Sequence, residues 1–184
     1  MQESPEAKNH IDTFFAQTRQ NHFRLTTITD TKSHILIVVS FFTLNITVAF
    51  FDNPVIKPAA IVLFLQAIFT LFFASISLMP NYKKIKITKE EADKKQFLDS
   101  SFAGSYIHYD FETFKRLMTN TIYNPAKIYD VQMKEIYDSG KILIEKKFKY
   151  LNIAFLIFIS GSAISVILLI LNIFFNEGNI TLKN

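Results

Sequence analysis

The side chains best suited to chemistry in this sequence are aromatics and cations gathered in its polar stretches. Phe102, Tyr106, Tyr109 and Phe111 stand close together beside Ser100, Ser101 and Gly104. Arg116 follows, and Lys141, Lys146 and Lys147 lie further along. A nucleobase needs a stacking face and a phosphate needs cations, so these residues have the parts of a ligand site. Aromatics at the foot of a membrane helix also serve as headgroup belts or as core, which is the competing reading of the same loop.

Catalytic patterns are missing. There is no G-x-S-x-G elbow, no H-E-x-x-H, no Walker loop and no G-x-G-x-x-G, and the chain holds only 4 Gly. With no cysteine, disulfides, Cys-based metal sites and thiolate nucleophiles are excluded. His10, His22, His34 and His108 stand singly, without a partner at metal-ligand spacing. Glu90 and Glu91 sit in a charged run with Lys89, Lys94 and Lys95, which reads as a solvated helix face. The expectation is a protein that is not an enzyme and uses neither metal nor cofactor.

The elements that must position these residues are set by hydropathy. Of 184 residues 49% are hydrophobic and 20 are Phe, a balance suited to lipid. Three stretches free of Asp, Glu, Lys and Arg, residues 35–51, 59–79 and 153–175, approach or exceed the roughly 20 helical residues that cross a hydrocarbon layer. The first is the shortest and must borrow Ser33 and His34 or thin the bilayer. Absence of charge inside the spans disfavours proton relays, voltage sensors and ion-coupled transport. The first span follows a long polar stretch with no basic n-region or cleavage site, so it is not a signal peptide. The link from Asp52 to Pro58 is short enough to demand a helical hairpin, with Pro54 and Pro58 expected to stop helix propagation.

Lys and Arg set the orientation. Eighteen of the 20 lie before the first span or between the second and third, and flanks of that kind stay cytoplasmic. The expected architecture is an all-α membrane protein: a cytoplasmic N-terminal helix (1–34), a transmembrane hairpin (35–79), a cytoplasmic helical domain (80–152), a third transmembrane helix (153–175) and an extracytoplasmic tail (176–184). The net charge of +4 is then explained by topology and lipid headgroups, and no nucleic-acid polymer is expected as a partner.

Within the middle segment, Thr88 and Glu91 match a capping box opening a short helix to about Leu98, and residues 99–109 read as a loop. Asp110 is placed to cap a helix with Phe111, Phe114, Met118 and Ile122 on one face. Asn124 and Pro125 supply the N-cap and first position of another, with Ile128, Val131, Met133, Ile136, Leu143 and Ile144 as apolar surface. No stop separates that helix from the last span, and none separates the N-terminal helix from the first. Continuous helices of this kind would carry a cytoplasmic event mechanically into the bilayer.

Inside the spans, Ser33, Ser40, Thr43 and Thr47 share a face, as do Ala67, Thr70 and Ala74, and Gly161 with Ser165 forms a small-x-x-x-small pair. These stripes fit close packing within one chain. They also fit assembly of several copies around a polar path, because three spans hardly enclose a pore alone. Asn45 and Gln66, the costlier polar residues, mark contacts on either reading.

Three stretches together resemble the Pycsar transmembrane effectors. Asn21 to Val48, NHFRLTTITDTKSHILIVVSFFTLNITV, resembles their Asp-x-Lys-Ala entry to the first span, with Asp30, Lys32 and Ser33 in those places. Ser101 to Met118, SFAGSYIHYDFETFKRLM, is similar to their Phe-x-Gly-x-Phe loop and amphipathic helix, with Tyr106 in place of the last Phe. Ile128 to Tyr150, IYDVQMKEIYDSGKILIEKKFKY, matches a leading Tyr-Asp, a Tyr-x-x-Gly-Lys core at Tyr137, Gly140 and Lys141, and the basic run at Lys146 and Lys147. The resemblance spans roughly residues 21–175. It implies a bacterial inner-membrane anti-phage effector that answers cyclic UMP or cyclic CMP, forms homo-oligomers and impairs the membrane, leading to abortive infection. The ligand-binding candidates are then Lys32, Phe102, Tyr106, Tyr109, Arg116, Lys141, Lys146 and Lys147. Rival readings are a membrane anchor that docks a protein partner and a constitutive small channel.

Overall fold

The computed structural model describes residues 5–79, 94–99, 106 and 109–181, with side chains for 10–79, 94–99, 106 and 109–175. All regular structure among them is helical: α1 (Pro5–Val48), α2 (Lys57–Leu78), α3 (Phe111–Ile122), α4 (Pro125–Ile142), a π-helical turn (Leu143–Phe148) and α5 (Lys149–Thr181). Three helical runs are long and apolar enough to cross a membrane: His10–Val48, Lys57–Leu78 and Pro125–Phe175. The chain divides into two compact units, one of Met1–Leu25 with Pro80–Leu143 and the other of Thr26–Met79 with Ile144–Asn184.

The second unit is the apolar one. Its first helix ends at Val48, three residues before the hydropathy limit at Phe51, because Ala49, Phe50 and Phe51 turn through i→i+3 hydrogen bonds to Ile46, Thr47 and Val48. The Asn53 side chain then accepts from the Val55 and Ile56 amides at 3.0 and 3.4 Å, an Asx turn that reverses the chain. Pro58 does not stop a helix as expected. It occupies the first turn of α2, where its missing N–H is no loss.

The three helices face one another mainly with small residues. Ser33, Leu36, Ser40 and Thr47 of α1, Ala59, Ala67, Thr70, Ala74 and Ser77 of α2, and Leu151, Ala154 and Ser165 of α5 are buried. Large side chains such as Val38, Phe42, Phe69, Phe72, Leu156 and Val166 point outward. That inversion suits a bilayer, where lipid tails are as apolar as Leu and helices associate through close backbone approach. The stripes thus serve packing within one chain. Asn45 departs from expectation: it is exposed and donates to the Phe41 carbonyl of its own helix at 2.8 Å.

The first unit is built on caps. Asp110 accepts from the Thr113 amide at 2.8 Å to start α3, and Asn124 accepts from the Lys127 amide at 3.3 Å to start α4 with Pro125 in the first turn. The inward face of α3 is not the expected one. Thr113, Leu117 and Thr121 are buried, whereas Phe111 is 71% exposed and Ile122 56%. The Thr121 hydroxyl decides this, accepting from the Leu98 amide at 2.9 Å and donating to the Leu117 carbonyl at 2.8 Å. The first half of α1 runs parallel to α4: Phe15 stacks on Tyr129, and His22 lies against Gly140. A Cβ on Gly140 would stand 3.2 Å from the imidazole Cε1, so the Gly of the Tyr-x-x-Gly-Lys core allows that approach. The Thr88–Glu91 capping box lies outside the described residues. Lys94 is helical, but Lys95–Asp99 is irregular, so no helix reaches Leu98.

Candidate functional site

In the first unit, the irregular strip Lys95–Asp99 is fastened along α3 by its backbone. Arg116 Nη1 donates to the Lys95 carbonyl at 3.0 Å, Asn120 Nδ2 to the Gln96 carbonyl at 3.1 Å, and the Leu98 amide to Thr121. One helix face thereby satisfies a segment with no ladder of its own. Between strip and α4 lies a cavity of about 340 Å³, lined by Lys95, Phe97, Asp99, Lys127, Asp130 and Lys134 among others. That volume suits a small organic ligand.

Cations and an aromatic ring converge there. Lys127 Nζ sits 5.6 Å from the Phe97 ring centroid and 3.1 Å from an Asp130 oxygen. Lys95 pairs with Asp99 and reaches the Tyr109 hydroxyl at 3.4 Å. Lys134 completes the lining on the same face of α4. Three ammonium groups against two carboxylates leave one net positive charge, complementary to a singly charged anion.

Burial pulls the Lys95 ammonium down, yet hydrogen bonds to Asp99 and Tyr109 outweigh it and hold its pKa above the ordinary 10.5. A base with a raised folded pKa contributes stability that is complete below its unfolded value and lost as pH rises through the folded one. Wild-type protein should therefore lose stability more steeply than Lys95→Gln as pH rises from the ordinary 10.5 upward, with no difference in slope between neutrality and that value. Equal alkaline slopes in denaturant titrations of the two proteins would refute the assignment.

The sequence-derived candidates are dispersed rather than convergent. Tyr109 and Arg116 meet around Lys95, where Arg116 holds a backbone carbonyl. Tyr106 packs on Phe114 with ring centroids 4.9 Å apart. Phe102 lies outside the described residues. Lys141 is exposed near the end of α4, Lys146 is exposed in the π turn, and Lys32 is exposed on α1. Sequence reasoning missed Phe97, Lys127 and Lys134. The i, i+3, i+7 spacing of Lys127, Asp130 and Lys134 was the available signal, but it reads equally as a solvated face.

Lys147 has a different task, within the second unit. Its Nζ lies 2.6 and 2.8 Å from the two Asp30 carboxylate oxygens. Its backbone carbonyl accepts from Ser77 Oγ at 3.0 Å, and Ser77 in turn accepts from Ser33 Oγ at 3.2 Å. The π turn accounts for that carbonyl, since i→i+5 bonding inserts a residue and disturbs the i→i+4 ladder. At the entries of the first and last spans, Asp30 thus binds Lys147 directly and Ser33 reaches it through Ser77 of α2. Among the described residues no cluster of His, Asp and Glu could hold a metal.

A family model described as the Pycsar effector protein domain (PycTM) matches residues 13–173. No curated protein and no solved structure matches the chain.

Proposed function

The chain belongs to the Pycsar effector family, and from that premise we propose that it is an anti-phage effector which senses a cyclic pyrimidine nucleotide, cyclic UMP or cyclic CMP, and impairs the inner membrane of the infected cell. The family match over residues 13–173 carries the reading. The three apolar helical runs give it a membrane to act on. The cleft of the first unit gives it a place to sense: Phe97 offers a base a stacking face, and Lys127 with Lys134 offers a cyclic phosphodiester its counter-charge. This assigns the ligand to residues other than most of those the loop pattern favoured. Sensing needs no bond to be made or broken, so the protein acts by binding, without catalysis. The N-terminus and the first unit face the cytoplasm, the side that carries eighteen of the 20 Lys and Arg. Copies associate in the membrane, abortive infection being the outcome.

Calorimetry on full-length protein in detergent tests the reading directly. One of the two nucleotides should bind, and Lys127→Gln with Lys134→Gln should weaken it by about tenfold or more, the equivalent of one lost charge-assisted hydrogen bond. Silence with both nucleotides, together with an unchanged membrane-potential dye signal in cells supplied with them, would overturn it.

A further inference from the structure

Hydroxyl side chains in these helices ordinarily satisfy themselves on their own helix. Thr31, Thr43, Thr47 and Ser160 each donate to the carbonyl four residues back, at 2.7 to 2.9 Å. Ser40 and Thr70 are different. Both are fully buried, at 0% exposure, and neither hydroxyl has a partner among the described residues. Gln66, 5% exposed, shares the condition: its Oε1 accepts from Ser162 Oγ at 3.4 Å, but its Nε2, a double donor, is unpartnered.

The register brings the three together. Ser33 bonds Ser77, and Leu36 shares a cluster with Ala74. One more turn along antiparallel α1 and α2 sets Ser40 opposite Thr70. Gln66 follows one turn further on α2, against Gly161 of α5. This level is the middle of α2 (Lys57–Leu78), hence the middle of a bilayer. Polar hydrogens left bare there carry a heavy penalty, which lipid does not relieve. Unpartnered donors and acceptors gathered at one level of the three helices are instead the arrangement that a buried water satisfies by two to four hydrogen bonds.

We propose that Ser40, Gln66 and Thr70 form a water-binding site at mid-depth between the three spans, so that the interior of the second unit is a hydrated seam. Its ends are closed by direct bonds. At one end stand Ser33, Ser77 and the Lys147 carbonyl; at the other, Ser165 Oγ donates to the Ala59 carbonyl at 3.0 Å. The seam depends on neither a nucleotide nor the cleft of the first unit.

Water-edited solid-state NMR on the full chain in lipid vesicles tests it with water as the probe. Magnetisation should pass from water to Thr70 and Ser40 severalfold faster than to lipid-facing Ile68 and Phe69. Build-up at Thr70 and Ser40 no faster than at Ile68 would overturn the proposal. A second measurement reads the same point through stability. In a dry seam Thr70→Val removes a bare hydroxyl and raises the unfolding midpoint; in a hydrated one it takes a partner from the water and lowers it. A lowered midpoint supports the site, and a raised one refutes it.

Discussion

Gly161→Leu is expected to force apart the second and third spans. A Cβ at Gly161 would stand 2.5 Å from Gln66 Cγ and 2.6 Å from Gln66 Cβ, well inside any carbon–carbon contact. Those atoms are the root of the side chain and cannot swing aside, so the helix axes must move. Elsewhere along the contact α2 presents Ala59, Ala67 and Ala74, and α5 presents Ala154, so the whole line is shaped for close approach. Overpacking such a contact costs about 1–3 kcal/mol for the first added carbons, which exceeds the roughly 1 kcal/mol of helix propensity gained on leaving Gly. Gly161→Ala should therefore lower the midpoint of unfolding in mixed micelles, and Gly161→Leu should lower it further. Adding Gln66→Gly removes both atoms that collide, so the double variant should recover part of the loss, a coupling that a merely local effect at either site would not produce. A Gly161→Leu protein as stable as wild type would show that the close approach is not there.

The second large effect is expected at the Asp30–Lys147 pair. Both oxygens of Asp30 engage the ammonium, and the side chains are only 34% and 19% exposed. Taking away one partner leaves the other charge half-desolvated at the edge of an apolar span. By the size of charge-assisted hydrogen bonds, Asp30→Asn or Lys147→Met should cost about 2 kcal/mol. Reversal, Asp30→Lys with Lys147→Asp, should restore part of that. Salt should change the result little, because a pair this enclosed is poorly screened. Additivity of the two single losses in the double neutral variant would sink the pair as an energetic contact.

Features written in consecutive residues were legible. Asp110 and Asn124 were recognisable as caps because a cap needs only its own next three residues. The three spans were legible because uncharged runs of that length have few uses outside a bilayer. The stripe of Ser33, Ser40 and Thr47 was visible at helical spacing, though not whether another chain or the same one would cover it. Asp30 and Lys147 stood among residues that mark the family resemblance, but their 117-residue separation gave no sign that they meet.

The sequence by itself thus determined the helical class, three runs long and apolar enough to cross a membrane, and the residues at which α3 and α4 begin, since these follow from local hydropathy and backbone capping. Tertiary structure decided the rest. Which face of α3 turns inward depends on the distant Leu98 amide that Thr121 accepts. The cleft requires Phe97 and Lys127 to be brought together from separate segments. The π turn sits among good helix formers, and it places the Lys147 carbonyl within reach of Ser77. Each of these rests on a polar group finding its partner across the fold, and no local pattern records where that partner is.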